Sequence, residues 1–241
     1  MIATLTDFMD SEYLGVMKGV IYSIAPKAII TDLYKKVKPQ NIEEGAWILL
    51  TTYKYFPKGT IFLCVVDPGV GGKRDCLAVK TKNYYFVGPD NGIFYPTVQE
   101  DKVEKVVQLA TIEAAPTFHG RDVFAKAAGK LEKSIPIEKL GKPGKIKVKE
   151  EFYLQGRTGE IVRIDEYGNI ITNLPHIGKK EYLAKTRTYE QRIQFYETYE
   201  EAPSNQLFLI QGSANTLEIS LKNGKAIDLW DVDTKARITI E

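Results

Sequence analysis

Between residues 61 and 75 an apolar run breaks into a loop whose residue types could do chemistry. Ile61, Phe62, Leu63, Cys64, Val65 and Val66 are uninterrupted and rich in β-branched side chains, the pattern of a strand buried on both faces. Asp67, Pro68, Gly69, Val70, Gly71 and Gly72 follow, and Arg74 arrives on the far side of the loop. An acid that ends a parallel strand stands at the sheet edge where open α/β folds place ligands. Arg74 can bring a permanent cation near the Asp67 carboxylate. His119, in Phe118-His119-Gly120-Arg121-Asp122, precedes a predicted helix whose amino-terminal dipole favours the neutral imidazole. The same residues also fit plain roles, as a turn, a surface ion pair and a helix-entry residue.

Two more predicted strand ends carry polar groups, Asp7 at one and Asp90 with Asn91 at the other. A parallel sheet gathers such ends along one edge, so these four turns can converge. Asp7 also fits a helix-entry cap. The chain's other histidine, His176, follows Pro175 in a loop and reads as an exposed polar residue.

The elements that must position these groups follow from periodicity. A strand over 2–6 is followed by a helix with Leu14, Met17, Val20, Ile21 and Ile24 at helical spacing, capped by Asp10 or Ser11. A strand is predicted over 28–32, and Asn41 with Glu44 resembles a capping box opening a second helix. Strand, helix, strand, helix, strand is the order of βαβ units and a parallel sheet. Strands over 77–80 and 84–87, a further one over 102–107 and a helix over 123–131 complete this part. Glycine, proline and repeated lysine over 141–149 suit an exposed linker, placing a domain boundary there. Beyond it the pattern turns to β, with strands over 159–165, 170–174, 206–210, 217–221 and 236–240, a hairpin-like signal at Glu166-Tyr167-Gly168-Asn169 and a type I′ turn signal at Asn223-Gly224. The fold class expected is α/β: a mostly parallel sheet flanked by helices over 1–141, then an antiparallel β-barrel-like domain over 150–241.

Bulk composition excludes several classes. The 241 residues are 44% hydrophobic and 27% charged, with a net charge of +2. That balance suits a globular protein and argues for no nucleic-acid partner and no membrane. Two cysteines make neither a disulfide framework nor a zinc site, so a reduced, cytoplasmic protein is expected.

Five segments occur in order: Leu5-Thr6-Asp7-Phe8, Val66-Asp67-Pro68-Gly69-Val70-Gly71, Gly88-Pro89-Asp90-Asn91-Gly92, Phe118-His119-Gly120-Arg121-Asp122-Val123-Phe124 and Tyr167-Gly168-Asn169-Ile170-Ile171-Thr172-Asn173. Together they resemble the S-adenosylmethionine (SAM) hydroxide adenosyltransferases, or SAM hydrolases, relatives of the SAM-dependent fluorinase and chlorinase. The resemblance spans nearly the whole chain. It implies hydrolysis of SAM to adenosine and L-methionine by attack of water or hydroxide at ribose C5′, with SAM as substrate, no cofactor and no metal. It implies a homotrimer with sites at subunit interfaces. The family's hydrolytic Asp-Arg-His set matches Asp67, Arg74 and His119, which the halogenases lack. Asp7 matches the residue that binds the ribose hydroxyls. Asp165, Tyr167 and Asn169 match a segment that holds the amino-acid part and covers the adenine, with Tyr167 where the family commonly has Phe. Ser213 and Glu218 match positions near the methionine carboxylate and amine, and Ala214 stands where the fluorinase has Arg.

Two alternatives remain from the residues themselves. One is a metal-dependent phosphoester hydrolase using Asp7, Asp67, Asp90, Asn91 and His119 as ligands. The other is a SAM- or adenosine-binding protein with little turnover.

Overall fold

A computed structural model describes residues 1–241 and divides into two compact units, Met1–Glu151 and Phe152–Glu241. The first unit begins with β1 (Ile2–Thr6), α1 (Glu12–Ile24), β2 (Ile30–Tyr34), α2 (Ile42–Thr52) and β3 (Ile61–Val65). It continues with β4 (Cys76–Thr81), β5 (Tyr85–Pro89), α3 (Tyr95–Glu100), β6 (Val103–Leu109), α4 (Lys126–Glu132) and β7 (Gly141–Pro143). The strands form one sheet in the order β2-β1-β3-β5-β4-β6-β7. Pairs β1–β2, β1–β3 and β3–β5 are parallel, whereas β4 runs antiparallel to both β5 and β6.

Strand alternation sorts the apolar residues of the sheet into two cores. Ile2, Leu63, Val65, Cys76, Ala78 and Val87 face one layer, made by α1, α4 and the segment before α4. Ala3, Phe62, Cys64, Leu77, Val79 and Phe86 face the other, covered by α2 and α3. The central strand β3 feeds both cores, which is why its sequence is apolar without a break.

Several local expectations are corrected. The second strand lies at Ile30–Tyr34, two residues beyond the predicted start, because parallel pairing sets Ile30 opposite Ile2. Asn41 caps α2 by accepting from Glu44 N at 3.0 Å, but the Glu44 carboxylate turns to Lys38 N at 2.9 Å, so the box is half made. The helix expected at 123–131 starts earlier, as a π-helix over Gly120–Ala125 that runs into α4. Residues 141–149 are not a free linker: β7 pairs with β6, and Lys147 N donates to Asp90 Oδ2 at 3.0 Å.

The second unit holds β8 (Thr158–Ile164), β9 (Ile170–Pro175), β10 (Glu181–Lys185), β11 (Glu190–Gln194), β12 (Leu207–Gln211), β13 (Thr216–Leu221) and β14 (Arg237–Ile240). Its sheet runs β11-β10-β14-β8-β9-β13-β12 with antiparallel pairing throughout. Tyr196 N donates to Leu209 O at 2.9 Å, bringing the two edge strands together into a nearly closed barrel. The hairpin β10–β11 has no counterpart in the sequence reading, because β11 buries only Ile193. Asn223-Gly224 leads into a short 3₁₀ turn over Ala226–Asp228. No helix in the chain is long and apolar enough to cross a membrane.

Candidate active site

The loop between β3 and β4 folds back so that Arg74 meets Asp67 in a two-pronged ion pair. Arg74 Nε donates to Oδ1 at 3.0 Å and Nη2 to Oδ2 at 2.5 Å, with the two side chains only 10% and 6% exposed. Gly71 makes the fold-back possible: its φ is +74°, and a Cβ there would stand 2.2 Å from Pro116 O. This contact also brings the segment before His119 against the loop.

His119 is 5% exposed and sits at the entry to the π-helix. A Cβ at the next residue, Gly120, would press on Met17 Sδ at 3.0 Å and on the Phe118 ring. Asp122 ties the π-helix to the preceding segment by accepting from Ala115 N at 2.9 Å, and Arg121 draws its carboxyl down to about 2. Arg74 Nη2 then reaches His119 Nδ1 at 2.8 Å. A guanidinium only donates, so Nδ1 accepts and the imidazole proton sits on Nε2. Burial and then the Arg74 charge hold the His119 pKa below its ordinary value, which keeps the ring neutral. Burial opposes the Arg74 charge as well, but the Asp67 hydrogen bond and charge outweigh it and raise the Arg74 pKa.

Asp7, Asp67 and His119 line one cavity of about 640 Å³. The parallel strand ends therefore bring together the acid after β1, the acid after β3 and the imidazole. Asp7 Oδ2 accepts from Gln40 N at 2.9 Å, and burial raises its pKa. Phe8, Tyr13 and Phe118 form an edge-to-face aromatic wall on the same cavity, with centroids 5.3 to 6.1 Å apart. Arg74 lines a separate pocket of about 280 Å³ that also borders His119. Its cation stands behind the cavity rather than in its wall.

The remaining strand-end residues serve the fold. Asp90 holds the backbone of Lys147, and Asn91 Nδ2 donates to Val66 O at 2.8 Å. No three His, Cys, Asp or Glu side chains are grouped to hold a metal ion. His176 is half-buried rather than exposed: it stacks on Phe195 at 3.9 Å and shares a 2.8 Å hydrogen bond with Tyr182 Oη.

In the second unit, Asp165 organises the β8–β9 turn. Its Oδ1 accepts from the backbone of Tyr167 and Asn169, each at 2.9 Å, and its Oδ2 accepts from Asn169 Nδ2 at 2.9 Å. Tyr167 is 75% exposed at the turn's tip. Glu218 on β13 is buried close enough to feel Asp165, and burial followed by that charge pushes its pKa up to about 7. Ser213 is exposed in the turn between β12 and β13. Tyr199, unmarked in the sequence, joins this group through Ser220 Oγ at 3.1 Å and Asn169. Cys76 likewise carries no site signal in the sequence, yet its Sγ accepts from Arg74 Nη1 at 2.8 Å. Nothing in its sequence neighbourhood marks either residue.

A mixed α/β sheet with an Asp-Arg-His cluster at its strand ends, followed by a small β-barrel, defines the class. Residues 2–141 match the SAM hydroxide adenosyltransferase N-terminal domain and residues 159–239 the C-terminal domain of the same name. The chain belongs to the SAM hydroxide adenosyltransferase family. A Methanocaldococcus jannaschii protein named (R)-S-adenosyl-L-methionine hydrolase is 34% identical over 257 residues, spanning 99% of this chain and 95% of its own. A fluorinase of Actinopolyspora mzabensis is 24% identical over 65% of each chain. The crystal structure of an uncharacterized conserved protein from Thermotoga maritima superposes with a TM-score of 0.92, at 31% identity and over the full length of both chains.

Proposed function

We propose that this protein hydrolyses S-adenosyl-L-methionine to adenosine and L-methionine. The observation that carries the reading is the Asp67–Arg74–His119 cluster on the wall of a cavity that also holds Asp7. The 34% identical relative named as a SAM hydrolase supports it. Water oxygen bonds to ribose C5′, the C5′–S bond breaks, and its electron pair returns to sulfur. The sulfonium leaves as a neutral thioether, and one proton passes to solvent. Because the leaving group needs no proton, the protein's task is to ready the oxygen nucleophile.

His119 presents Nε2–H as a donor, so it orients the oxygen rather than taking its proton at Nδ1, which Arg74 occupies. Asp67 accepts a hydrogen bond from the same water and draws it toward hydroxide. Arg74 holds both side chains in register and places positive charge behind them. Orientation and general-base help of this kind are typically worth about two to four orders of magnitude in rate. Asp7 accepts hydrogen bonds from the ribose hydroxyls, whose protons match its free lone pairs. In the second unit Asp165, Tyr167 and Asn169 take the adenine and amino-acid parts, and Ser213 and Glu218 the methionine end. Residues 1–141 thus carry the chemistry and 150–241 substrate contacts, in a homotrimer whose sites lie at subunit interfaces. Two free, buried cysteines suit a reducing cytoplasm.

The test is incubation of purified protein with SAM after chelation, with chromatography for adenosine and methionine. Both products, in equal amounts and undiminished by EDTA, are expected. Binding of SAM with no product would replace this reading with a SAM-binding one. Light scattering should give three times the chain mass, and a monomer would remove the shared-site arrangement.

A further inference from the structure

Every prong of the Arg74 guanidinium is engaged, and one of its partners has no role in the chemistry above. Nε and Nη2 hold Asp67, Nη2 also reaches His119, and Nη1 donates to Cys76 Sγ at 2.8 Å. The same sulfur stands 3.6 Å from His119 Nδ1. Cys76 is the first residue of β4, paired with Pro89 on β5, and it is 1% exposed. It is therefore carried by the sheet, whereas Asp67, Arg74 and His119 all sit on loops or at a helix entry. Strand alternation points Cys76 and Ala78 to the face covered by the π-helix residues Val123, Phe124 and Ala125.

We propose that Cys76 is a positioning residue: its thiol anchors Arg74 Nη1 to the sheet and so fixes the angle at which Nη2 meets His119 Nδ1. A guanidinium held only by Asp67 can rock in the plane of the carboxylate. A third acceptor, out at Nη1, removes that freedom. The Cys76 sulfur also packs 3.6 Å from His119 Nδ1, on the side of the ring that Arg74 holds. Cys76 thus favours the Nε2–H tautomer through Arg74, by fixing the donor that occupies Nδ1. It touches neither the 640 Å³ cavity nor any group assigned to substrate. This inference rests on the roles given to Arg74 and His119 in the proposed hydrolysis.

The experiment compares wild type with Cys76→Ala and Cys76→Ser, with two readouts. The first is the imidazole nitrogen spectrum of the unliganded protein, which needs no activity. The chain has two histidines, so His176, in the second unit, is an internal control. Wild type should show His119 as the Nε2–H tautomer. Cys76→Ala should broaden or mix the His119 tautomers and leave His176 unmoved, and Cys76→Ser should restore the wild-type pattern. The second readout is turnover: Cys76→Ala should lower kcat about tenfold, the effect of one hydrogen bond to a charged group. KM for SAM should stay within about twofold, with the serine variant recovering most of kcat. A His119 spectrum and kcat unchanged in a folded Cys76→Ala protein would overturn the proposal, as would equal losses in the alanine and serine variants. If wild type itself shows no SAM turnover, the hydrolase reading fails, and the spectra still decide the role of Cys76.

Discussion

Arg74 Nη2 lies 2.8 Å from His119 Nδ1 and 2.5 Å from Asp67 Oδ2, so one nitrogen joins an acid and an imidazole that are far apart in the chain. Because that nitrogen can only donate, the contact decides which imidazole atom is basic. It spends the lone pair on Nδ1 and leaves Nε2 as a donor.

Protonating His119 would place a hydrogen on Nδ1 and set two cations face to face. The burial and Arg74 charge that depress its pKa should therefore move the acid limb of kcat/KM below the 6.5 of an ordinary histidine. The linked stability has the same sign: it is present above pH 6.5 and is lost as the pH falls through the depressed value. A pH–rate profile checks this, and an acid limb at or above 6.5 would contradict the Nδ1 contact.

A lysine at position 74 keeps the charge but offers a single nitrogen in place of a planar fork. It cannot span Asp67 Oδ1, Asp67 Oδ2, His119 and Cys76 together. Arg74→Lys should lower kcat by about a hundredfold while KM for SAM changes little. Arg74→Ala should in addition cost stability, on the order of 3 kcal/mol, because it leaves Asp67 buried without its cation. Steady-state kinetics with thermal melts separates the two, and a Lys variant with wild-type kcat would refute the positioning role.

Asp7 lines the same cavity as the reacting groups and is held by Gln40 N at 2.9 Å. Asp7→Asn replaces an acceptor with a donor toward the ribose hydroxyls. KM should rise at least about tenfold, as one charge-assisted hydrogen bond is lost, with kcat falling less. A variant that lost kcat alone would move Asp7 into the chemistry.

Glu218 carries a pKa of about 7 against 4.5 for a free glutamate, so the folded state holds its proton longer than the unfolded one. Its contribution is stabilising at low pH and disappears as the pH rises from 4.5 through 7, by at most about 3 kcal/mol. Glu218→Gln should therefore raise the melting temperature at pH 8 and leave it nearly unchanged at pH 4. Equal shifts at both pH values would show that the carboxyl is not titrating in this window.

The local chain was enough to mark the reactive loops. An unbroken β-branched run demands a buried central strand, and the acid, proline and glycines that end it announce the exit at which Asp67 stands. The same logic exposed Asp7 after β1 and His119 before its helix, and read the second unit as antiparallel β. Distances across the chain were a different matter. That β4 turns antiparallel and delivers Cys76 under Arg74 depends on pairing with β5 and β6. That Gly141–Pro143 docks as an edge strand depends on β6, and that Tyr199 joins Ser220 and Asn169 depends on barrel closure. Periodicity reports which face of an element is buried, because that is a property of neighbouring side chains. Which nitrogen of Arg74 meets which partner is set by residues at 67, 76 and 119 arriving together, and only the packed sheet and its covering helices bring them within 3 Å of one guanidinium.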